Sequence, residues 1–305
     1  MIRTAFRTAA FIALPAMLAA GCGTSNNVDV DRRNADGSTP LQWAVYEGDV
    51  AEVRRLLDAG ADVSLANDYG ATPMGLAAEV ANTEILKLLL DAGADVESPN
   101  AEGQTALLLV ARTGNVDAAK LLLERGAAVD AREAWGGQTP LMWASARRHP
   151  EMIELLIGSG AAADARSTVR DYQRHVQAEG RPKSLDTGGF TPLLYAAREN
   201  CIACVDVLLK HGVDIDLPDP DGVTPLHVAI MNANWDLAKR LIDAGADVNQ
   251  WDIYGEAPLF TAVGLRSRTD GGRASIDPPN EMDGLTIVRL LLERGANPNM
   301  QLFFR

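Results

Sequence analysis

Cys201 and Cys204 are the two residues of this 305-residue chain whose spacing most directly invites chemistry. They stand as Cys-Ile-Ala-Cys. On a helix, positions i and i+3 bring the alpha carbons within disulfide range. At a helix N-terminus the same thiols would have lowered pKa values and could carry redox exchange. A structural disulfide, two small half-buried thiols and a redox pair all remain open at this point. No strand-then-helix context flanks the motif and no His follows it for haem attachment. The third cysteine, Cys22, ends the run Leu18-Ala19-Ala20-Gly21-Cys22. His149, His175, His211 and His227 have no metal-ligand spacing, so no metal site is expected. There is no Gly-x-Ser-x-Gly and no phosphate-cradling glycine loop. The carboxylates recur with the sequence repeat described next, so pairing any two as acid and base would be arbitrary. Outside the thiol alternative, neither enzyme activity nor a cofactor is expected.

The elements that must position these residues repeat along the chain. An opening Thr recurs at Thr39, Thr72, Thr105, Thr139, Thr191 and Thr224, with Ala257 in the seventh slot. A closing Gly recurs at Gly60, Gly93, Gly126, Gly160, Gly212, Gly245 and Gly295, in steps of 33, 33, 34, 52, 33 and 50 residues. A period near 33 marks a stacked array. One unit reads as follows. Asp221-Gly222 is a tight-turn signal. Thr224 is an N-cap and Pro225 fits the first helical position, where its missing N–H has no partner anyway. Leu226, Ala229 and Ile230 share one helical face. Asn232 to Asn234 breaks that helix, Leu237, Leu241 and Ile242 form the inner stripe of a second, and Gly245 stops it. Helices of two or three turns do not survive alone in water, so each unit must bury its faces on its neighbours. In this frame Cys201 and Cys204 fall at the start and first turn of a second helix.

Thr224-Pro225-Leu226-His227-Val228-Ala229 resembles the ankyrin-repeat signature in full. Thr39-Pro40-Leu41, Thr72-Pro73-Met74, Thr139-Pro140-Leu141 and Thr191-Pro192-Leu193 match it in part. The endings Leu56-Leu57-Asp58-Ala59-Gly60-Ala61-Asp62-Val63 and Leu241-Ile242-Asp243-Ala244-Gly245-Ala246-Asp247-Val248 are equally similar to that family. The resemblance covers roughly Asn34 to Asn299. It implies an all-α solenoid of about seven helix-turn-helix repeats linked by β-turn fingers, occupying 34–305. It further implies that His227 hydrogen-bonds its own turn, and that fingers and first helices together form a concave binding face.

The N-terminus reads separately from the array. Arg3 and Arg7 precede a twelve-residue apolar stretch, Ala9 to Ala20, too short to span a membrane and suited to a signal peptide over 1–21. The run into Cys22 resembles the bacterial lipoprotein box. That resemblance implies lipidation of Cys22, a polar tether over 22–33 and a membrane anchor. Gly23 in place of Asp leans towards the outer membrane, with the array in the periplasm. The alternative is a plain cleaved signal and an incidental thiol. An exported chain meets an oxidising compartment, which favours the Cys201–Cys204 bond. The net charge of −13 argues against nucleic acid and against an anionic lipid surface as partners of the array.

Two long steps mark inserts, about 166–186 and 265–283. The first holds Arg166, Arg170, Arg174, Arg181 and Lys183, a basic island that should project on the finger side. Its Thr168-Val169-Arg170-Asp171 reads as a capped helix start, with Val169, Tyr172 and Val176 on one face and Gly180 as its end. The second contains Gly271-Gly272 and Pro278-Pro279 and reads as a loop between the helices of the seventh repeat. Leu302-Phe303-Phe304-Arg305 is an apolar stub where an array needs a polar capping unit. Without a proper cap, either the stub folds back as a makeshift one or the chain is part of a longer array, the favoured expectation; an apolar surface left open there would invite self-association. By repeat position, Tyr46, Tyr69, Arg112, Trp135, Arg147, Arg198, Trp251 and Tyr254 fall on fingers or exposed first-helix ends. Aromatics and Arg dominate binding hot spots. Trp43 and Trp143 are expected in the core. The reading is a non-catalytic scaffold that binds an unidentified protein partner in the cell envelope. Thiol redox through Cys201 and Cys204 and a role as a structural assembly element are the alternatives.

Overall fold

The computed structural model describes residues 29–100, 102–169, 188–268 and 280–299. The expected signal segment, Cys22, most of both inserts and the C-terminal stub lie outside the described residues. Those residues form seven helix pairs. The pairs are α1 and α2 (Pro40–Glu47, Val50–Asp58), α3 and α4 (Pro73–Glu79, Thr83–Asp91), and α5 and α6 (Ala106–Thr113, Val116–Glu124). Next come α7 and α8 (Pro140–Ala146, Pro150–Gly158), α9 and α10 (Pro192–Arg198, Ile202–Lys210), and α11 and α12 (Pro225–Met231, Trp235–Asp243). The last pair is α13 (Pro258–Arg268) and α14 (Gly284–Glu293). Helix α13 runs through Gly264 and continues past Leu265, where the loop reading placed the insert; no further Gly or Pro occurs between Leu265 and Arg268.

Local chemistry sets each boundary. Thr39, Thr72, Thr139, Thr191 and Thr224 hold extended backbone and their hydroxyls accept the N–H three residues on. Pro follows each of them at the helix start. Asp49, Asn82, Asn115 and Asp283 cap second helices in the same way. The worked repeat is as the pattern dictates. Leu226, Ala229, Ile230, Leu237, Leu241 and Ile242 are buried, and Gly245 takes φ +97°, the left-handed region that favours glycine.

Packing is between neighbours. Each first helix contacts the next first helix, from α1·α3 through α11·α13, and α2, α4, α6, α8 and α10 line up behind them. Ala44, Ala77, Ala111, Ala144, Ala196 and Ala229 let the first helices approach closely, while Leu41, Leu107, Leu141, Leu193 and Leu226 fill the layers between. Each such Leu contributes about 2 kcal/mol by leaving water. Between units, finger backbones join: Asp68 N–H donates to the Asp36 carbonyl, Ala134 to Glu102, Thr168 to Gly136 and Ile253 to Asp221, all at 2.8–3.1 Å.

The first insert leaves the array through a narrow neck. Ser167 N–H donates to the Phe190 carbonyl, Phe190 N–H donates to the Ser167 hydroxyl, and Val169 bridges Gly188 antiparallel. Arg166 donates to the Gly189 and Pro218 carbonyls across this neck. A Cβ on Gly188 would lie 1.9 Å from the Thr168 oxygen, so only glycine fits. The capped helix start read at Thr168-Val169 is therefore not formed there. Thr168 is committed to the finger ladder and Val169 to the bridge. Residues 170–187, with Tyr172, Val176 and Gly180, are outside the described set.

Candidate protein-binding face

The fingers are organised by one acceptor each. Asn67 accepts from the Tyr69 and Ala71 N–H groups, Asn100 from Glu102 and Gln104, Asp219 from Asp221 and Val223, and Asp252 from Tyr254 and Glu256. The fourth finger is one residue longer, which explains the 34-residue step. There Glu133, 6% exposed, takes the acceptor slot and receives the Trp135, Gly136 and Gln138 N–H groups at 2.6, 2.6 and 3.0 Å. Its extra methylene spans the extra residue. Trp135 stands clear of the surface at 75% exposure, as Tyr69 does at 76% in the matching slot of the second finger.

Two grooves lie between fingers and first helices. One, of about 560 Å³, is lined by Glu102, Gln104, Glu133, Trp135, Gln138 and Trp143. The other, of about 150 Å³, is lined by Gln42, Trp43, Tyr46, Tyr69, Asn67 and Leu76 among others. Of the expected site residues, Tyr46 and Tyr69 meet in the smaller groove, at 55% and 76% exposure. Trp43 packs edge-on to Tyr46 at 6.1 Å. Arg112 and Arg147 place their guanidinium groups 5.8 and 5.9 Å from the centre of the Trp143 ring, which lines the larger groove together with Trp135. Arg198 lies over Tyr195 at 5.0 Å and Phe190 at 5.7 Å. Tyr195 in turn accepts a 2.6 Å hydrogen bond from Gln138, which ties the fifth unit to the larger groove. Trp251 is exposed and Tyr254 half-buried on the seventh finger, and neither lines either of these two grooves. Cys22 is outside the described residues.

Trp43 and Trp143 correct the expectation that both belong to the core. Each is half-buried, with part of its ring lining a groove. They stand four residues after the opening Thr, at the border between the buried stripe and the open face. The indole N–H of Trp143 has no hydrogen-bond partner among the described residues. Tyr195, Phe190, Glu133 and Gln138 were not singled out by sequence reasoning. The aromatic recurrence four residues after Thr39, Thr139 and Thr191 was the available signal.

Histidines hold units together. His227 Nδ1 accepts from Thr224, while its Nε2 donates 3.0 Å to the Glu256 carbonyl of the next finger. Burial pushes its pKa below the ordinary value, so it is the neutral imidazole that bridges. Gln42 makes the equivalent bonds in the first repeat, to the Leu65 and Ala71 carbonyls. His149 Nε2 donates to the Arg112 carbonyl, as Asn115 does to Ala81 and Asn280 to Ala233. Among the described residues no group of His, Cys, Asp and Glu could hold a metal. Cys201 and Cys204 form a disulfide, 5% and 0% exposed, at the start of α10. No described helix is long and apolar enough to cross a membrane.

A row of helix pairs, each leaning on the next and offering one groove-bearing face, is a repeat solenoid of the interaction class. The profile of the family described as ankyrin repeats (3 copies) matches residues 14–100, 95–168, 173–252 and 193–269. The chain belongs to the ankyrin repeat family. It is 34% identical over 171 residues to the mouse B-cell lymphoma 3 protein homolog, covering 54% of this chain and 30% of that protein. The chain spans less than half the length of the curated relatives it matches. In structure it is similar to the ankyrin repeat domain of Bcl-3, with a TM-score of 0.64 and 25% identity over 84% of this chain and 99% of that one. It also shares the fold of the human ASB11 ankyrin repeat domain, with a TM-score of 0.65 and 23% identity over 86% of this chain and 100% of that one.

Proposed function

We propose that this chain is a non-catalytic scaffold that captures another protein on the face built from its fingers and first helices. The observation that carries this reading is the clustering of Tyr46, Tyr69, Trp135, Trp43, Trp143 and two arginines around two grooves on that face. Large, stiff aromatic rings and arginine give much contact area for little lost entropy. The thiol alternative is disfavoured by the burial of both sulfur-bearing residues, because exchange needs an accessible thiolate.

The proposed setting is the bacterial cell envelope. It is supported by the basic, apolar and small-residue sequence leading to Cys22. Lipidation there would anchor the array to the membrane, with the outer membrane the favoured side. Labelling cells with a palmitate analogue tests the anchor. Label on the wild type that disappears in Cys22→Ala is expected, and label that persists in Cys22→Ala contradicts it. Crosslinking in intact envelopes tests the face. The Tyr69→Ala/Trp135→Ala variant should lose partners that the wild type retains. Recovery of the same set by both would contradict the assignment.

A further inference from the structure

Arginine on the groove face runs against the charge of the molecule. The chain has 41 acidic and 28 basic residues, yet Arg112, Arg147 and Arg198 stand at the ends of first helices in three successive units. Several other arginines pair with carboxylates, as in Arg55–Glu52, Arg125–Asp91, Arg240–Asp206 and Arg294–Asp243, and Arg198 itself pairs with Glu199. Arg112 and Arg147 have no carboxylate partner among the described residues. Both are instead held over the single ring of Trp143. Two guanidinium groups sharing one ring repel each other. Stacking orders their side chains and leaves their N–H edges available for the forked bonds that suit carboxylates.

Glu102 and Glu133, which line the groove, form no ion pair with Arg112 or Arg147. Glu133 is committed to three backbone N–H groups of its own finger. Glu199 pairs with Arg198 at 3.0 Å. Glu102 is exposed on the finger side of the groove.

Building on the binding-face reading above, we infer that the partner presents an acidic segment. Its carboxylates bridge Arg112 and Arg147, and an adjoining apolar side chain enters the 560 Å³ groove between Trp135 and Trp143. Arg198, already paired with Glu199, is not part of this site. A carboxylate seated there relieves the repulsion between the two guanidinium groups and forms charge-assisted bonds with side chains already ordered by stacking.

The experiment is selection of a phage-displayed library of random twelve-residue peptides on the purified chain, followed by affinity measurements with the enriched peptides. Acidic peptides carrying at least one apolar residue should emerge. Arg112→Gln/Arg147→Gln should weaken them by about tenfold or more, the loss expected for a charged hydrogen bond. Arg55→Gln, which removes an exposed charge from α2 rather than from the groove face, should leave affinity unchanged. Circular dichroism confirms that each variant is folded. Enrichment of basic or uncharged peptides, or acidic peptides that ignore the double arginine change, overturns the inference. Preferential binding of a single-stranded oligonucleotide would overturn it as well. If the enriched peptides are not acidic but are lost on Trp135→Ala, the face reading stands and only the acidic partner falls. Peptides indifferent to every one of these changes sink both.

Discussion

At the scale of single residues, identical letters do different work. Six threonines open the repeats, yet the Thr105 hydroxyl makes no cap bond and is buried without a hydrogen-bond partner among the described residues. Thr72 instead accepts the Gly75 N–H at 3.1 Å. Thr72→Val should therefore cost about 1 kcal/mol of stability in urea unfolding. Thr105→Val should be neutral or stabilising, because a buried unsatisfied hydroxyl costs about 1–3 kcal/mol. His227 sets a second prediction. Its folded pKa lies below the ordinary 6.5, so the unfolded chain takes up the proton first. The stabilisation from the neutral ring is complete above about 6.5 and is lost as pH falls through that value towards the folded pKa. Asp216 and Asp219, pushed up by burial, act in the opposite sense lower in the acid range. His227→Gln should flatten the first of these slopes while keeping most of the stability, since Gln42 already fills that slot. Urea midpoints measured from pH 7.5 down to 5 check it. An unchanged slope would mean that another group titrates.

At the scale of elements, sequence was most informative where signals are local. A Thr-Pro start, an apolar face and a closing glycine act within one helix, so α11 and α12 could be read directly. Trp143 was misassigned because its surroundings come from three segments: Arg112 of the preceding unit, Arg147 one turn on and the fourth finger. A helical wheel does not contain that information. The Glu133 finger was hidden for a similar reason, since the acceptor role at that slot belongs to Asn or Asp in the other fingers. Helix α10 carries its own prediction. Its N-cap slot holds Cys201, whose sulfur accepts the Cys204 N–H at 3.2 Å while bonded to the Cys204 sulfur. The loop closed is short, so reduction should cost no more than about 2 kcal/mol. Thermal unfolding with and without reductant should show that loss in the wild type and not in Cys201→Ser/Cys204→Ala. Equal curves for the wild type would show that the bond is absent or carries no stability. Insulin reduction should remain at background, because both sites are buried.

At the scale of the molecule, stability and recognition follow from the same stacking. Units that contact only their neighbours build a long row, and the row gives its first helices and fingers a common side. The neck at Ser167–Val169 and Gly188–Phe190 closes the insert off while Thr168 keeps its ladder bond to Gly136. Thus 19 additional residues leave the fourth and fifth units packed together. The period and the fold were legible because they repeat. The grooves were legible only in part, through Tyr46, Tyr69, Trp135 and the arginines, because their walls arise between repeats. Amide hydrogen exchange of the chain with and without a partner captured in the envelope tests the central claim most directly. Slowed exchange is predicted in the fingers at 67–71, 102–104 and 133–138 and at the exposed ends of α1, α5 and α7. Protection confined to α2, α4, α6 and α8, with the fingers unchanged, would contradict it.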